Sequence, residues 1–118
     1  MCFWIHDEHK KAIIATKDIR CWKIAYKYNI HKYGFTSSIQ AFHYEFNKTY
    51  KTTLGICDRS ITRGFHSYSK KPYNTLYIKT IYCIIPKGSK YYYNPSFDEY
   101  VSNQIIPIKV VRNKYYYE

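Results

Sequence analysis

The stretch Leu76-Tyr77-Ile78-Lys79-Thr80-Ile81-Tyr82-Cys83-Ile84-Ile85 is almost entirely β-branched or aromatic. Such side chains crowd a helix and pack well on a pleated surface, so the run reads as a strand. Pro86-Lys87-Gly88-Ser89 stops it, with proline and glycine where turns use them. Lys90–Tyr93 is then expected to return as its hairpin partner. Upstream, Lys11–Thr16 and Ile19–Tyr28 read as two strands joined tightly around Lys17-Asp18. In the second, Trp22, Ile24, Tyr26 and Tyr28 alternate with Cys21, Lys23, Ala25 and Lys27. That period of two predicts a strand with one wet face.

Working outward, Lys48–Thr53 and Gly64–Tyr68 are further strands, and Gly55–Arg63 is a loop or an irregular strand. Gln104–Tyr117 forms one long or two short strands, with Pro107 marking an edge or a bulge. Two segments break the β pattern. Ser37-Ser38-Ile39-Gln40 matches a capping box. It predicts a short helix from Ser38 to Glu45 that presents Ile39, Phe42, His43 and Phe46 at helical spacing. Asp98–Asn103 reads as one helical turn. The expected fold is therefore α+β, a mostly antiparallel sheet with one or two short helices. A chain of 118 residues has room for one core, so residues 1–118 are expected to form a single domain.

Composition excludes several classes. Hydrophobic residues make up 46% and aromatics 20%, too many for a disordered chain. No apolar run approaches the roughly 20 residues of a membrane-spanning helix. Met1-Cys2-Phe3-Trp4-Ile5 is apolar but is followed by charge at His6–Lys11, unlike a signal peptide, so a cytoplasmic location is expected. Cys2, Cys21, Cys57 and Cys83 are far apart and form no Cys-x-x-Cys pair, which favours free thiols over disulfides or zinc. His6-Asp7-Glu8-His9 lacks a third ligand at motif spacing and reads as a solvated turn. No cofactor fingerprint stands in the chain.

The net charge is +11, and 16 residues are tyrosine. Charge of that sign points to nucleic acid, a nucleotide or an acidic partner surface. AT-rich coding enriches Lys, Ile, Tyr and Asn together and accounts for part of both numbers. In a strand, each of the runs Tyr91-Tyr92-Tyr93 and Tyr115-Tyr116-Tyr117 must show at least one ring away from the core. Exposed rings beside cations are what base stacking with phosphate pairing requires. Arg63, Lys87, Lys90 and Arg112 are the candidate cations, and Tyr68, Tyr91 and Tyr93 the candidate stacking rings. If Arg63–Tyr68 is a strand, His66 and Tyr68 share one face beside Gly64. His66 and Asn103 would then contact the edges of a base. An enzyme acting on a nucleotide would use His66 as general base and Glu99 as acid or stabiliser. Cys57, Asp58 and His66 are an alternative nucleophile set. A third use of the tyrosines is as hot spots of a protein–protein inhibitor.

Gly64–Tyr68, Ile85–Tyr93 and Glu99–Ile105 resemble segments of small uncharacterised proteins of gut bacteria and their phages. That resemblance implies a small basic protein of phage origin, acting in the cytoplasm of a bacterial host and interfering with a host defence protein. The Pro-x-Gly-Ser hairpin is also similar to one in ADP-ribosyltransferase-like domains, although Glu99 follows it rather than precedes it. The expectation is a non-enzymatic protein that captures a nucleotide or nucleic acid, without cofactor, metal or membrane.

Overall fold

Ile78–Ile85 is a strand, as its composition dictates, but its partners lie far away in sequence. The computed structural model describes residues 3–4, 11–37, 42–57 and 60–111. Among them the chain runs β1 (Phe3–Trp4), β2 (Ile13–Ile14), β3 (Ile19–Tyr26), β4 (Ile30–His31), β5 (Gly34–Thr36), β6 (His43–Glu45) and β7 (Tyr50–Lys51). It continues through β8 (Gly55–Cys57), β9 (Ser60–Arg63), β10 (Phe65–Tyr68), β11 (Ile78–Ile85), β12 (Lys90–Asn94), β13 (Glu99–Ser102) and β14 (Gln104–Val110). One 3₁₀ turn, Lys27–Asn29, is the only helical element among the described residues.

The α+β expectation is therefore wrong: the described chain is all β, paired antiparallel throughout. Within the expected helix Ser38–Glu45, residues 38–41 lie outside the described residues, and His43–Glu45 is a strand against β5. Phe42, His43, Tyr44 and Phe46 alternate better than they spiral, and tertiary pairing decides. The expected helical turn Asp98–Asn103 is strand β13. Asp98 takes a left-handed φ of 51°, which closes the β12–β13 hairpin and puts Val101 and Ser102 into the interior.

The expected hairpin between Leu76–Ile85 and Lys90–Tyr93 does not form. β11 pairs with β3 and β14, whereas β12 pairs with β13 and β2. Pro86–Ser89 is a corner, not a reversal. The Ser89 hydroxyl donates to the Pro86 carbonyl at 2.6 Å, and the corner is stitched to the segment after β2 by Ala15 N–H to Ser89 O and Gly88 N–H to Ala15 O, both 2.8 Å. Lys17-Asp18 is a matching corner, whose Asp18 Oδ1 accepts the Lys87 N–H at 2.8 Å. Two bent strands, 13–26 and 78–94, thus run alongside each other in one register, Ile19 opposite Ile85 and Ile14 opposite Lys90.

The bend closes a small barrel. β12 pairs with β13, β13 with β10, and β10 returns to β3, which pairs with β11, the other half of the same bent strand. The β10–β3 seam is narrow, registered only at Tyr68 opposite Trp22. Beside Pro107 the register of β14 on β11 shifts, the bulge its ring demands.

Of the two alternating sets in β3, the one carrying Lys23 is inside. Cys21 and Ala25 are fully buried, while Trp22 and Ile24 are half-buried and Tyr26 is exposed. A barrel this small has no room for rings from every strand, so its lining here is Cys21, Ala25, Cys83 and Ser67. Cys21 and Cys83 are free, buried thiols, raised by burial, Cys21 to about 11. The remaining volume is filled from the β4–β5–β6 sheet, which contributes Phe35 and Tyr44, stacked at 5.1 Å, to the cluster of Phe65, Ile81, Ile85 and Ile105. A second cluster, Ile61, Tyr92 and Val101, lies on the outer side of β12–β13, under the β8–β9 hairpin.

Candidate nucleic-acid interface

Antiparallel register places directly opposite side chains on one face, about 4.5–5.5 Å apart at Cβ. Across the barrel's outer surface this gives a single row: Lys109 on β14, Tyr82 on β11, Trp22 on β3, Tyr68 on β10 and Glu99 on β13. The Trp22 and Tyr82 rings meet at 6.3 Å and 51°. All three rings are half-buried. Arg20 is exposed two residues before Trp22 on the same face, and Lys109 is exposed at the end of the row. Glu99 closes the other end, where burial raises its carboxyl and also the Tyr68 hydroxyl, the latter with help from Glu99. The row thus offers a cation at one end, rings in the middle with Arg20 beside them, and an acceptor at the other end. Glutamate accepts from exocyclic amino groups of bases.

The nine residues singled out from the sequence are not assembled in one place. Tyr68 is in this row. His66 is on the same outer face of β10, one step from it, opposite Val101. Tyr91 and Tyr93 point the other way, into the barrel mouth, where they pack on Tyr100 at 5.6 and 5.2 Å. Asn103 is structural. Its Oδ1 accepts the Lys90 N–H at 2.9 Å and its own N–H goes to Lys90 O at 3.0 Å, which holds the step from β13 to β14. The Lys90 side chain is exposed, Lys87 sits on the corner, and Arg63 donates from Nε to Thr53 O at 3.0 Å at the end of β9. Arg112 lies outside the described residues, as do Tyr115–Tyr117, His6–His9 and Asp58. The sequence reading missed Trp22 and Tyr82, although their alternation with small residues and thiols marked them as the set too large for a narrow barrel.

His66 and Glu99 are diagonal neighbours on adjacent strands, close enough to share a ligand. Burial, reinforced by the Lys23 ammonium, lowers the imidazole to about 4. A base so weak is far from the near-neutral value that favours general-base work. Its titration is instead a matter of stability. Below pH 6.5 the unfolded chain takes up a proton on residue 66 that the folded chain refuses until about pH 4. Stability is therefore expected to fall by up to about 3 kcal/mol across that window as pH drops. Urea titrations at several pH values should show the slope in the wild type and a flatter one in His66→Gln. Equal slopes would remove His66 as its source.

No protein-family model, no curated protein and no solved structure matches this chain. The geometry alone carries the functional argument. No helix among the described residues is long and apolar enough to cross a membrane, and no group of three metal-ligating side chains is found among them. A depression of about 40 Å³ at Ile24, Ala25, Tyr26 and Ile78 adjoins the row, far below the several hundred Å³ that enclose a nucleotide-sized ligand.

Proposed function

We propose that this chain is a non-enzymatic nucleic-acid-binding protein that uses the outer face of its barrel around Trp22. One observation carries the reading: Trp22, Tyr82 and Tyr68 form a half-exposed aromatic row flanked by Arg20 and Lys109, while a lysine of the same strand is turned inward. Flat rings on a rigid sheet offer every base a π-face, and the net charge of +11 supplies long-range attraction. The tyrosine and lysine excess that AT-rich coding explains in number is here arranged in space.

With Trp4→Phe leaving one reporter, binding of a single-stranded oligonucleotide is expected to quench Trp22 fluorescence. Trp22→Ala should weaken binding by roughly 5- to 100-fold, the equivalent of about 1–3 kcal/mol of stacking, as measured by anisotropy. The affinity should fall linearly with the logarithm of salt concentration. Absence of binding to any single- or double-stranded nucleic acid at low salt would overturn the reading and leave the aromatic row as a protein-binding surface.

A further inference from the structure

The aromatic surface does not end at Trp22. Further along β3, Tyr26 is 39% exposed and stacks on Tyr28, which is 77% exposed, with centroids 5.4 Å apart and planes 12° apart. Tyr28 stands on the 3₁₀ turn, where Lys27 N–H to Tyr77 O at 2.6 Å ends the β3–β11 ladder. Between the two ring groups lies Thr80 of β11, which is completely buried because residues 69–77 fold over it as a strap. The Thr80 hydroxyl donates to Pro72 O at 3.0 Å and its N–H to Asn74 Oδ1 at 2.7 Å, while Asn74 Nδ2 donates to Val111 O at 2.8 Å. The strap holds Tyr73, 90% exposed, and the exposed Lys70 and Lys71. Lys70 forms an ion pair with Asp98 at 3.7 Å.

We propose that the ligand is a single strand of nucleic acid laid along β3, with bases on both the Trp22 row and the Tyr26–Tyr28 stack and phosphates crossing Lys70 and Lys71 on the strap. This deepens the reading above and rests on it. Two ring groups separated by a cationic strap match a chain of alternating bases and phosphates. Duplex bases are stacked on one another and do not reach rings on a flat sheet, whereas splayed single-stranded bases do. Trp22 and Tyr26 are four residues apart on one strand, roughly 13 Å, a span inside the site of about 4–16 nucleotides that small barrels use.

End-labelled oligothymidylates of about 4 and about 12 nucleotides, and a duplex of the longer length, test this by anisotropy. The long strand is expected to bind at least about 10-fold tighter than the short one and than the duplex. Tyr26→Ala combined with Tyr28→Ala should abolish the length advantage, bringing the long strand's affinity down to about that of the short one. Lys70→Ala with Lys71→Ala should make the salt dependence shallower by about 1.4 in log–log slope. Equal affinity for duplex, or a length advantage untouched by both double variants, overturns this inference while the nucleic-acid reading stands. Failure of the wild type to bind any of the three probes overturns both.

Discussion

Gly34→Ala is expected to leave no cooperatively folded protein at temperatures where the wild type is native. A Cβ at residue 34 would run into the Tyr44 carbonyl oxygen and sit 2.8 Å from its carbon and 2.9 Å from Glu45 Cα. All three are backbone atoms of β6, directly opposite in the ladder, so no rotamer change relieves the contact. The strands must part, and their neighbours Phe35 and Tyr44 leave the barrel with them. Those two rings fill the space that Cys21, Ala25 and Cys83 leave, so their displacement resembles deletion of a large core side chain, about 3–5 kcal/mol. Together with the lost ladder bonds this exceeds what most small domains can lose. Gly88→Ala is the control. Its φ of 91° strains any side chain, but nothing lies within 4 Å of the new Cβ. A loss of about 1 kcal/mol is expected there. Urea unfolding followed by far- and near-ultraviolet circular dichroism gives both numbers. A Gly34→Ala protein within about 1 kcal/mol of wild type would show that β5 and β6 are not packed this closely.

The same residues explain how far the sequence can be read. Strand character at Ile78–Ile85 and alternation at Ile19–Tyr26 are local properties of side chains, and both are found. Which alternating set is buried is not local. Lys23 and Trp22 differ in hydropathy in the direction opposite to their placement, because a narrow barrel selects its lining by volume as well as polarity. The Pro86–Ser89 segment has the chemistry of a turn in either use. Whether the chain reverses or merely bends is decided by Ala15 and Asp18, about seventy residues away. Asp98–Asn103 is too short for helical propensity to compete with a hairpin that buries Val101 and Ser102. Tyr68 was legible as a surface ring, but its row was not, since it exists only once five strands from distant parts of the chain are in register. Asn103 shows the converse: a polar side chain suited to a ligand is already spent on backbone groups.

Lys23→Glu is expected to cost about 3–5 kcal/mol, and Lys23→Met close to nothing. The Lys23 residue keeps some accessible surface, but its ammonium is enclosed. It donates to the His66 carbonyl and stands 5.3 Å over the Tyr44 ring. It reaches across the seam where β3 and β10 share one registered pair, so a side chain supplies the bond that the ladder lacks there. Desolvation lowers its pKa, countered by the nearby thiols Cys83 and Cys21, so the charged form is held at a cost. Methionine removes that cost and nearly conserves volume, but it leaves the His66 carbonyl without its donor, about 1–3 kcal/mol. The two effects are similar in size and opposite in sign. Glutamate has no such compensation. Its carboxylate would face the His66 carbonyl, the π-face of Tyr44 and two thiols that burial keeps protonated, with no cation in exchange. The seam would then open beneath Trp22 and Tyr68, so binding should fall together with stability. In Lys23→Met, the row should stay intact and the affinity for single strands unchanged. Chemical denaturation of the three proteins, with anisotropy on each, separates these outcomes. Tolerance of glutamate within about 1 kcal/mol would mean that the ammonium is not enclosed, and that the seam is held by the backbone alone.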